Sequence, residues 1–258
     1  ELLRDWCQRH VDERLDGAKV EVQHIEGRTP LLIVDVPPTG EGAADDTVLL
    51  YGHLDKQPPF SGWRAGLGPW EPVLEGDRLY GRGGADDGYS TFAAITALEA
   101  VRAAGGSHAR CVVLIEASEE SGSPDLPAHL DLLGDRLGEP SLVVALDSWC
   151  GDWDRLWVTT SLRGLLDMTL RVEVLTEGVH SGSAGGVVPS SFRILRTLLS
   201  RIEDEHTGEL LVRELHADIP DQRLRQLTAT APELGDFAAR FPFAGDTRPE
   251  RASTEQQL

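Results

Sequence analysis

The sequence is poor in cysteine, which limits the covalent and metal scaffolds that it can build. Its three cysteines, Cys7, Cys111 and Cys150, lie far apart and form no Cys-x-x-Cys pair. This spacing argues against a disulfide framework and against a thiolate zinc ribbon as the basis of the fold. A reducing compartment is the simpler interpretation, and we expect a cytoplasmic protein.

Positive charge and long apolar segments are also scarce. The chain carries 24 lysines and arginines against 43 aspartates and glutamates, which gives a formal net charge of −19. Nucleic acids and anionic membranes attract basic surfaces, so we expect neither as a partner. No stretch approaches the ~20 apolar residues that span a bilayer, and the first residues lack the basic start and apolar centre of a signal peptide.

What the 258 residues do contain is a series of short apolar runs and amphipathic segments. Residues 2–15 and 89–104 have helical spacing of their apolar positions. Strands that alternate with helices predict an α/β domain, which we assign to residues 1–162. Four β-branched-rich runs have the pattern of strands buried on both faces: residues 31–36, 47–51, 111–117 and 142–146.

The pattern changes after Leu162. Residues 165–174 alternate between apolar and polar from Asp167 on, as expected for a strand with one solvated face. A glycine-rich loop and then a helix at residues 189–203 follow. We therefore predict a second, smaller domain over residues 163–258.

Residues able to bind metal follow three of the predicted strands. His53 and Asp55 come directly after the second run, Glu119 and Glu120 after the third, and Asp147 after the fourth. Sites in open α/β sheets form at the carboxyl ends of the strands, so we expect these side chains at one edge of the sheet.

Asp86 extends this group, because its glycine-rich loop, residues 81–88, immediately precedes the helix at 89–104. Carboxylates brought together repel one another, and cations relieve that repulsion. One histidine with several carboxylates and no thiolate suits Zn²⁺, Mn²⁺ or Co²⁺. Two such ions about 3.5–4 Å apart could polarise a carbonyl and generate hydroxide, while a free carboxylate moves protons.

Each of these signals alone has a simpler explanation. A single histidine at a strand end is more often a core or surface residue, and Glu119 with Glu120 could be a solvated pair. Asp147 could cap the next helix. The loop at 81–88 could be a plain turn, and it lacks the GxxxxGK[ST] and GxGxxG patterns of phosphate loops. The coincidence of four clusters favours the metal site.

Four segments then carry a family resemblance: Leu-Leu-Tyr-Gly-His-Leu-Asp-Lys-Gln-Pro at 49–58, Gly62-Trp63, Trp70-Glu71-Pro72, and Gly-Asp-Arg-Leu-Tyr-Gly-Arg-Gly at 76–83. Together they resemble the dinuclear metal-dependent dipeptidases related to carnosinase. Aminoacylases, carboxypeptidase G and succinyl-diaminopimelate desuccinylase are more distant relatives. The resemblance, which covers residues 34–199, implies an α/β fold. Its mixed, largely parallel sheet would have helices on both faces and a smaller inserted α+β lid and dimerisation domain.

The resemblance also implies a ligand set for two divalent ions. His53, Asp86 and Asp147 would hold one ion, and Asp86 would bridge to a second ion that Glu120 also binds. Zinc is the favoured metal, with manganese and cobalt as alternatives.

Three further residues receive roles from the same resemblance. Glu119 would be the general base that activates a water between the metals, and Asp55 would orient the His53 ring. His180 would reach the active site of a partner subunit and stabilise the developing oxyanion. The resemblance thus implies a homodimer formed through the lid domain.

The chain departs from the family pattern at two places. Asp87-Gly88-Tyr89 stands where the family often has Asn-Lys-Gly after the bridging aspartate. The family's last histidine ligand, which follows the lid domain, has no assigned counterpart, since His206 and His216 lack its context. We expect Asp86 and Glu120 alone to hold the second ion weakly, so that the chain as given would not catalyse efficiently.

These features predict a metallohydrolase that cleaves the amide bond of dipeptides or related small peptides. An N-acyl amino acid deacylase with the same machinery is the alternative among enzymes. A non-catalytic metal-binding protein of the same fold is the alternative outside them. The presence of Glu119 argues against the latter, because a metal binder needs no base beside its ligands.

Overall fold

The computed structural model describes residues 1–40 and 46–257. The chain divides into two compact units, Glu1–Trp149 and Cys150–Leu258. The domains assigned from the sequence, 1–162 and 163–258, remain predictions, and their residues 41–45 and 258 lie outside the described residues.

The first unit contains both strands and helices, as the sequence pattern predicts. The predicted helices at 2–15 and 89–104 and all four predicted strands are present, with ends shifted by at most two residues. In chain order the elements are α1 Leu2–Arg14, β1 Lys19–Gln23, β2 Leu31–Val36, β3 Thr47–His53, β4 Val73–Glu75, β5 Arg78–Tyr80, α2 Ser90–Ala103, β6 Arg110–Glu116, α3 Leu126–Leu133 and β7 Leu142–Ala145, with one-turn 3-10 helices at Glu119–Ser121 and Gly134–Arg136.

Five strands form one sheet in the order β1-β2-β6-β3-β7. Strands β6, β3 and β7 run parallel, whereas β2 runs antiparallel to both β1 and β6. Four of the five strands therefore share one direction, and the predicted mixed, largely parallel sheet is confirmed. The remaining strands, β4 and β5, form a separate antiparallel hairpin.

The predicted helices on both faces of the sheet are also confirmed. Alternate residues of β2 and β6, such as Val34 and Val113, pack against α1 and α2. The intervening residues, such as Ile33 and Leu114, pack against α3. Full burial of an aliphatic side chain contributes about 1.5–3 kcal/mol, so the two apolar layers on these central strands hold the sheet and its covering helices together.

Strand β7 differs from its prediction, because it is not buried on both faces. Leu142 is 53% exposed and Val143 is 57% exposed. The reason is its place in the sheet: within residues 1–40 and 46–257, β3 is the single strand that pairs with β7. An apolar run predicts a strand but does not show whether that strand is central or at an edge.

The regular elements described in the second unit are all helices: α4 Ser181–Ala184, α5 Ser191–Leu199, α6 Asp221–Leu234 and α7 Thr254–Gln257, with short 3-10 helices at Arg213–Leu215 and Phe237–Arg240. Helix α5 confirms the helix predicted at 189–203. The strand predicted at 165–174 is wrong: these residues form no strand, and Leu165 remains 88% exposed. A strand needs a neighbour for its backbone N–H and C=O groups, and no described segment pairs with this one.

None of the described helices in either unit combines the length and the apolar character needed to cross a membrane.

Candidate metal centre

The centre of the site is His53, the last residue of β3. Its side chain is 0% exposed, and among the described residues neither ring nitrogen has a hydrogen-bond partner. Burial of a polar group without a partner costs free energy, and such groups are rare in folded proteins. A metal ion bound to one nitrogen would supply the missing partner, so the ring has the environment of a ligand.

Three carboxylates face the Nε2 atom of His53. Asp86 Oδ1 lies 3.3 Å away, while Glu119 Oε2 and Asp147 Oδ2 each lie 3.7 Å away. Glu120 joins the group, since one atom each from His53, Asp86 and Glu120 lie within 4.8 Å of one another. The same holds for His53, Glu119 and Asp147. The four ligands predicted from the sequence therefore converge with Glu119 on one cleft.

The sheet explains this convergence. The parallel register pairs His53 with Glu116 and Tyr51 with Ala145, so β3, β6 and β7 end at the same edge. Glu119 and Glu120 follow β6 in a one-turn 3-10 helix, and Asp147 follows β7. Asp86 belongs to the loop that precedes α2. The N-terminal end of α2 packs beside the end of β3.

That packing depends on a glycine. A Cβ atom added to Gly52 would meet the Ser90 side chain and would lie 2.8 Å from Asp87 Oδ2. Real Cβ atoms almost never approach so closely, because cores pack at high density. Gly52 therefore allows the start of α2, and with it the loop of Asp86, to lie against the strand that presents His53.

Asp87 is a buried carboxylate that the sequence patterns did not assign. Its Oδ2 accepts the backbone N–H of His53 at 3.1 Å, and its Oδ1 accepts that of Ser90 at 3.2 Å and that of Gly88. The side chain is fully buried. It thereby ties the end of β3 to the start of α2. A capping aspartate just before a helix was the one signal that could have identified it.

Asp55 holds the two glutamates of the site in place. The backbone N–H groups of Glu119 and Glu120 donate to its Oδ1 and Oδ2 at 3.1 and 2.9 Å. Its Oδ1 also lies 3.4 Å from His53 Nδ1, on the side of the ring away from the other carboxylates. Asp55 is therefore placed to orient the ring, and it also grips the 3-10 helix.

The two glutamates have different surroundings. The Glu120 carboxylate accepts hydrogen bonds from the backbone N–H of Gln57 at 3.2 Å and from its side-chain amide at 2.5 Å. Glu119 Oε2 instead faces the Nε2 atom of His53. The structure thus fixes the Glu120 carboxylate through protein donors and presents the Glu119 carboxylate to the centre of the cleft.

The electrostatics show an excess of negative charge. Burial raises the pKa of Glu119, and the nearby Asp147 and Glu120 raise it further, while His53 opposes the rise. Burial also raises the pKa of Asp147, and Asp86 adds to the effect. Burial disfavours protonated His53, yet the carboxylates outweigh burial and its pKa is raised. Cations bound between these groups would relieve the repulsion.

Lys56 is a cation beside the site that the sequence patterns did not assign. Its Nζ donates to the backbone carbonyl of Asp87. Burial lowers the pKa of Lys56, and Asp87 and Asp55 oppose that change. A side chain at Gly83, whose φ is +76°, would collide with the lysine. The glycine-rich loop is thus shaped around Lys56.

His180 lies in the second unit, where it caps the short helix α4. Its side chain is exposed, and Nδ1 accepts the backbone N–H of Gly182 at 3.1 Å. His206 and His216 lie in the same unit, and His216 Nε2 is 2.6 Å from the Leu210 carbonyl. The role predicted for His180 in a partner's active site stays a prediction.

Comparison with known proteins identifies relatives of this chain. Residues 49–184, more than half of the chain, match the model of Peptidase family M20/M25/M40. Over 165 residues the chain is 33% identical to the Cysteinylglycine-S-conjugate dipeptidase of Corynebacterium striatum, an alignment of 62% of this chain and 35% of that protein. It is 28% identical over 193 residues to the human Beta-Ala-His dipeptidase, with 74% and 37% covered.

A third relative carries a different name. The chain is 33% identical over 144 residues to the Succinyl-diaminopimelate desuccinylase of Azoarcus sp., which aligns 51% of this chain and 35% of that protein. The chain therefore spans only about a third of the length of these three curated relatives.

Solved structures share the fold. The M20 family metallo-carboxypeptidase Sso-CP2 from Sulfolobus solfataricus superposes with a TM-score of 0.65 at 17% identity, over 98% of this chain and 56% of that one. Human carnosine dipeptidase 1 gives 0.58 at 22% identity, over 100% and 54%. Together with the matched residues 49–184, which carry all the residues of the cleft, these findings show that the chain belongs to Peptidase family M20/M25/M40.

Proposed function

We propose that this protein is a metal-dependent dipeptidase, which hydrolyses the amide bond of dipeptides or related small peptides. The observation that carries the proposal is His53, a buried imidazole without a hydrogen-bond partner among the described residues, surrounded by carboxylates at the end of a parallel sheet. The names of relatives in the same family support it.

In this proposal the cleft holds two divalent ions, with zinc favoured. His53, Asp86 and Asp147 would hold the first ion, and Asp86 and Glu120 would contribute to the second. Nitrogen and carboxylate oxygen are ligands that zinc accepts. Such ions, when bound, supply Lewis-acid polarisation of the amide carbonyl and lower the pKa of a nearby water.

The residues of the chain then divide the remaining work. Glu119 takes a proton from the attacking water on its carboxylate and passes it to the nitrogen of the leaving amine. The Glu119 carboxylate faces the cleft, whereas the Glu120 carboxylate accepts a hydrogen bond from the Gln57 side-chain amide. Asp55 orients the His53 ring and holds the amides of both glutamates. These roles follow the distinct contacts of the two glutamates.

The proposal includes two features of the whole protein. We place His180 in a partner's active site, where it would stabilise the oxyanion of the transition state, and we expect a homodimer formed through the second domain. We also retain the cytoplasmic location expected from the cysteine content. An exposed histidine that caps a short helix outside the first unit is compatible with a role toward a partner.

A substrate and metal panel tests the proposal. We would assay the full-length protein on dipeptides and on N-acyl amino acids, each with Zn²⁺, Mn²⁺ or Co²⁺. We expect dipeptide hydrolysis, since the relatives named dipeptidases align with a larger share of the chain than the desuccinylase does. Hydrolysis confined to acyl amino acids would replace the dipeptidase with a deacylase. Metal binding without any hydrolysis would leave a metal-binding protein.

Mixing inactive subunits tests His180. Full-length His180→Ala and Glu119→Gln proteins would be combined under conditions where subunits exchange. If His180 acts in a partner's site, some mixed dimers regain one intact site, and activity rises above that of either variant. Exchange without recovery would show that His180 acts within its own subunit or not at all.

A further inference from the structure

Glu116 is a buried carboxylate that is not among the residues assigned to the cleft. It is the last residue of β6 and is 3% exposed. Three hydroxyl groups donate to it: Tyr51 Oη at 2.5 Å and Ser123 Oγ at 2.8 Å to Oε1, and Ser118 Oγ at 3.1 Å to Oε2. Its charge is thus held by a dedicated set of donors.

The backbone of Glu116 places this cluster directly beside the cleft. Glu116 lies opposite His53 in the parallel register of β3 and β6, and its carbonyl accepts the N–H of Leu54 at 2.8 Å. Along the chain it precedes Glu119 by three residues. A change in its side chain therefore acts at the base of the turn that carries both glutamates of the site.

The two serines bracket that turn. Ser118 precedes the 3-10 helix Glu119–Ser121 and Ser123 follows it, and the N–H of Ser123 donates to the carbonyl of Ser118 at 2.9 Å. Glu116 accepts hydrogen bonds from the hydroxyls of Ser118 and Ser123, so one carboxylate holds the two ends of the turn together. Asp55 grips the amides of Glu119 and Glu120 separately.

The backbone of the turn needs such a hold. Ser123 has a φ of +52°, in the left-handed region that residues other than glycine seldom adopt. A conformation of this kind costs on the order of 1–3 kcal/mol and persists only where its surroundings impose it. The hydrogen bond from Ser123 Oγ to Glu116 is one contact that imposes it here.

A glutamate at position 116 does more than fill space in the core. Burial of a carboxylate is costly unless it is well hydrogen-bonded, and an apolar side chain of similar volume would fill the same space more cheaply. An apolar side chain could not bind three hydroxyls. What Glu116 adds is a fixed geometry for Ser118, Ser123 and the turn between them.

We propose that Glu116 is a positioning residue, which fixes the turn Glu119–Ser121 through Ser118 and Ser123 so that Glu120 and Glu119 reach the cleft. The inference rests on the proposed function for the roles of the two glutamates. Its effect on metal affinity, however, requires only that the cleft binds metal.

The test compares variants of the full-length protein by titration with Co²⁺, followed by its visible absorption, and by steady-state kinetics on a dipeptide. Loss of the contacts that hold metal ligands in their orientation weakens metal binding about 10- to 100-fold. We expect at least a ten-fold loss of Co²⁺ affinity in the Ser118→Ala, Ser123→Ala double variant and in Glu116→Ala, with kcat reduced and KM little changed. Glu116→Gln, which can still bond to hydroxyls, should recover part of the loss.

Val112→Ala is the matched control, because Val112 is buried in the same strand on the α3 side, four residues before Glu116. It should lower the thermal midpoint without changing Co²⁺ affinity. If Glu116→Ala fails to fold, the single Ser123→Ala variant carries the test. Wild-type Co²⁺ affinity in the serine variants would overturn the proposal, as would an equal loss in Val112→Ala.

The results also separate this inference from the proposed function. A wild-type protein that binds Co²⁺ but hydrolyses no dipeptide refutes the dipeptidase and leaves the affinity comparison decisive for Glu116. A wild-type protein that binds no metal overturns both, because Glu116 would then have no ligand set to position.

Discussion

The two units of the chain show different relations between sequence pattern and structure. In the first unit, strands and helices form where the apolar pattern predicts them, and β2 and β6 are almost fully buried. In the second unit the helix α5 forms, but the apolar side chains at 162–170 stay exposed and the predicted strand does not form. Helices satisfy their backbone groups internally, whereas a strand depends on pairing with a second segment, which a local apolar pattern does not identify.

If the reaction takes place in the cleft of the first unit, a change to one carboxylate there should have the largest effect. Glu119→Gln in the full-length protein should lower turnover by at least about 100-fold, the scale of losing a general base, with metal content nearly unchanged. Metal analysis and steady-state kinetics measure both. Glu120→Gln is the matched variant and should lose metal. Loss of metal from Glu119→Gln instead would show that the two roles are reversed.

Glycine substitutions in the two units should differ in their effect on the free energy of unfolding. Gly52→Ala should lower the free energy of unfolding by about 1–3 kcal/mol, because its new methyl group collides with Ser90 and Asp87 in a packed region. Gly164→Ala lies in the second unit, and no described atom outside its chain neighbours lies within 4 Å of the new Cβ. This variant should change the free energy of unfolding by less than about 0.5 kcal/mol. Denaturant unfolding measures both. Equal effects would contradict the difference in packing.

A smaller effect concerns pH and the packing of α1 on α2. Burial opposes ionisation of Glu99, yet hydrogen bonds from His10 and Arg14 outweigh it, so the pKa of Glu99 lies below its ordinary 4.5. A lowered pKa means that the ionised form favours folding, so the contribution is present above pH 4.5 and is lost as pH falls through the lowered pKa.

Glu99→Gln should therefore cost about 0.5 kcal/mol at pH 7, after allowance for solvent screening, and the cost should disappear in acid. Unfolding measured from pH 7 to pH 3 follows the difference between wild type and variant. Glu13→Gln, an exposed change on α1, is the control. A cost that does not diminish as pH falls below 4.5 would exclude the ionised Glu99 carboxylate as its cause.

The smallest effect is expected from the segment that the sequence pattern misassigned. Leu165→Ala should change the free energy of unfolding by less than about 0.5 kcal/mol, because the side chain is 88% exposed. Ile33→Ala in β2, a buried position, should cost about 2–5 kcal/mol. A large loss from Leu165→Ala would mean that its side chain is covered in the full-length protein.

Much of the site could be predicted because its signals are local. His53, Glu120 and Asp147 each lie within three residues of the end of an apolar run, and the geometry of parallel strands then implies that they meet. Asp87 and Glu116 could not be assigned in this way. Their roles depend on partners distant in sequence, such as the backbone of His53 for Asp87 and the hydroxyl of Tyr51 for Glu116.

The sheet order shows the same limit. The apolar pattern predicts that β2 is a strand. It does not predict that β2 runs opposite to the other strands, a direction that is set by its pairing with β1 and β6. It also gives β7 the same character as β6, although β7 lies at an edge of the sheet formed by the described residues and is half exposed. Direction and position in a sheet are properties of pairs of strands, and a single run does not contain them.

The carboxylate of Asp87 joins the amide hydrogens of His53 and Ser90, which belong to different elements. Each amide uses one oxygen of the same carboxylate, so a movement of Asp87 affects both. Exchange of these two hydrogens with solvent deuterium should therefore require one shared opening event rather than separate fraying of a strand and a helix. The dynamics of His53 at the centre of the cleft are in this way coupled to those of the first turn of α2.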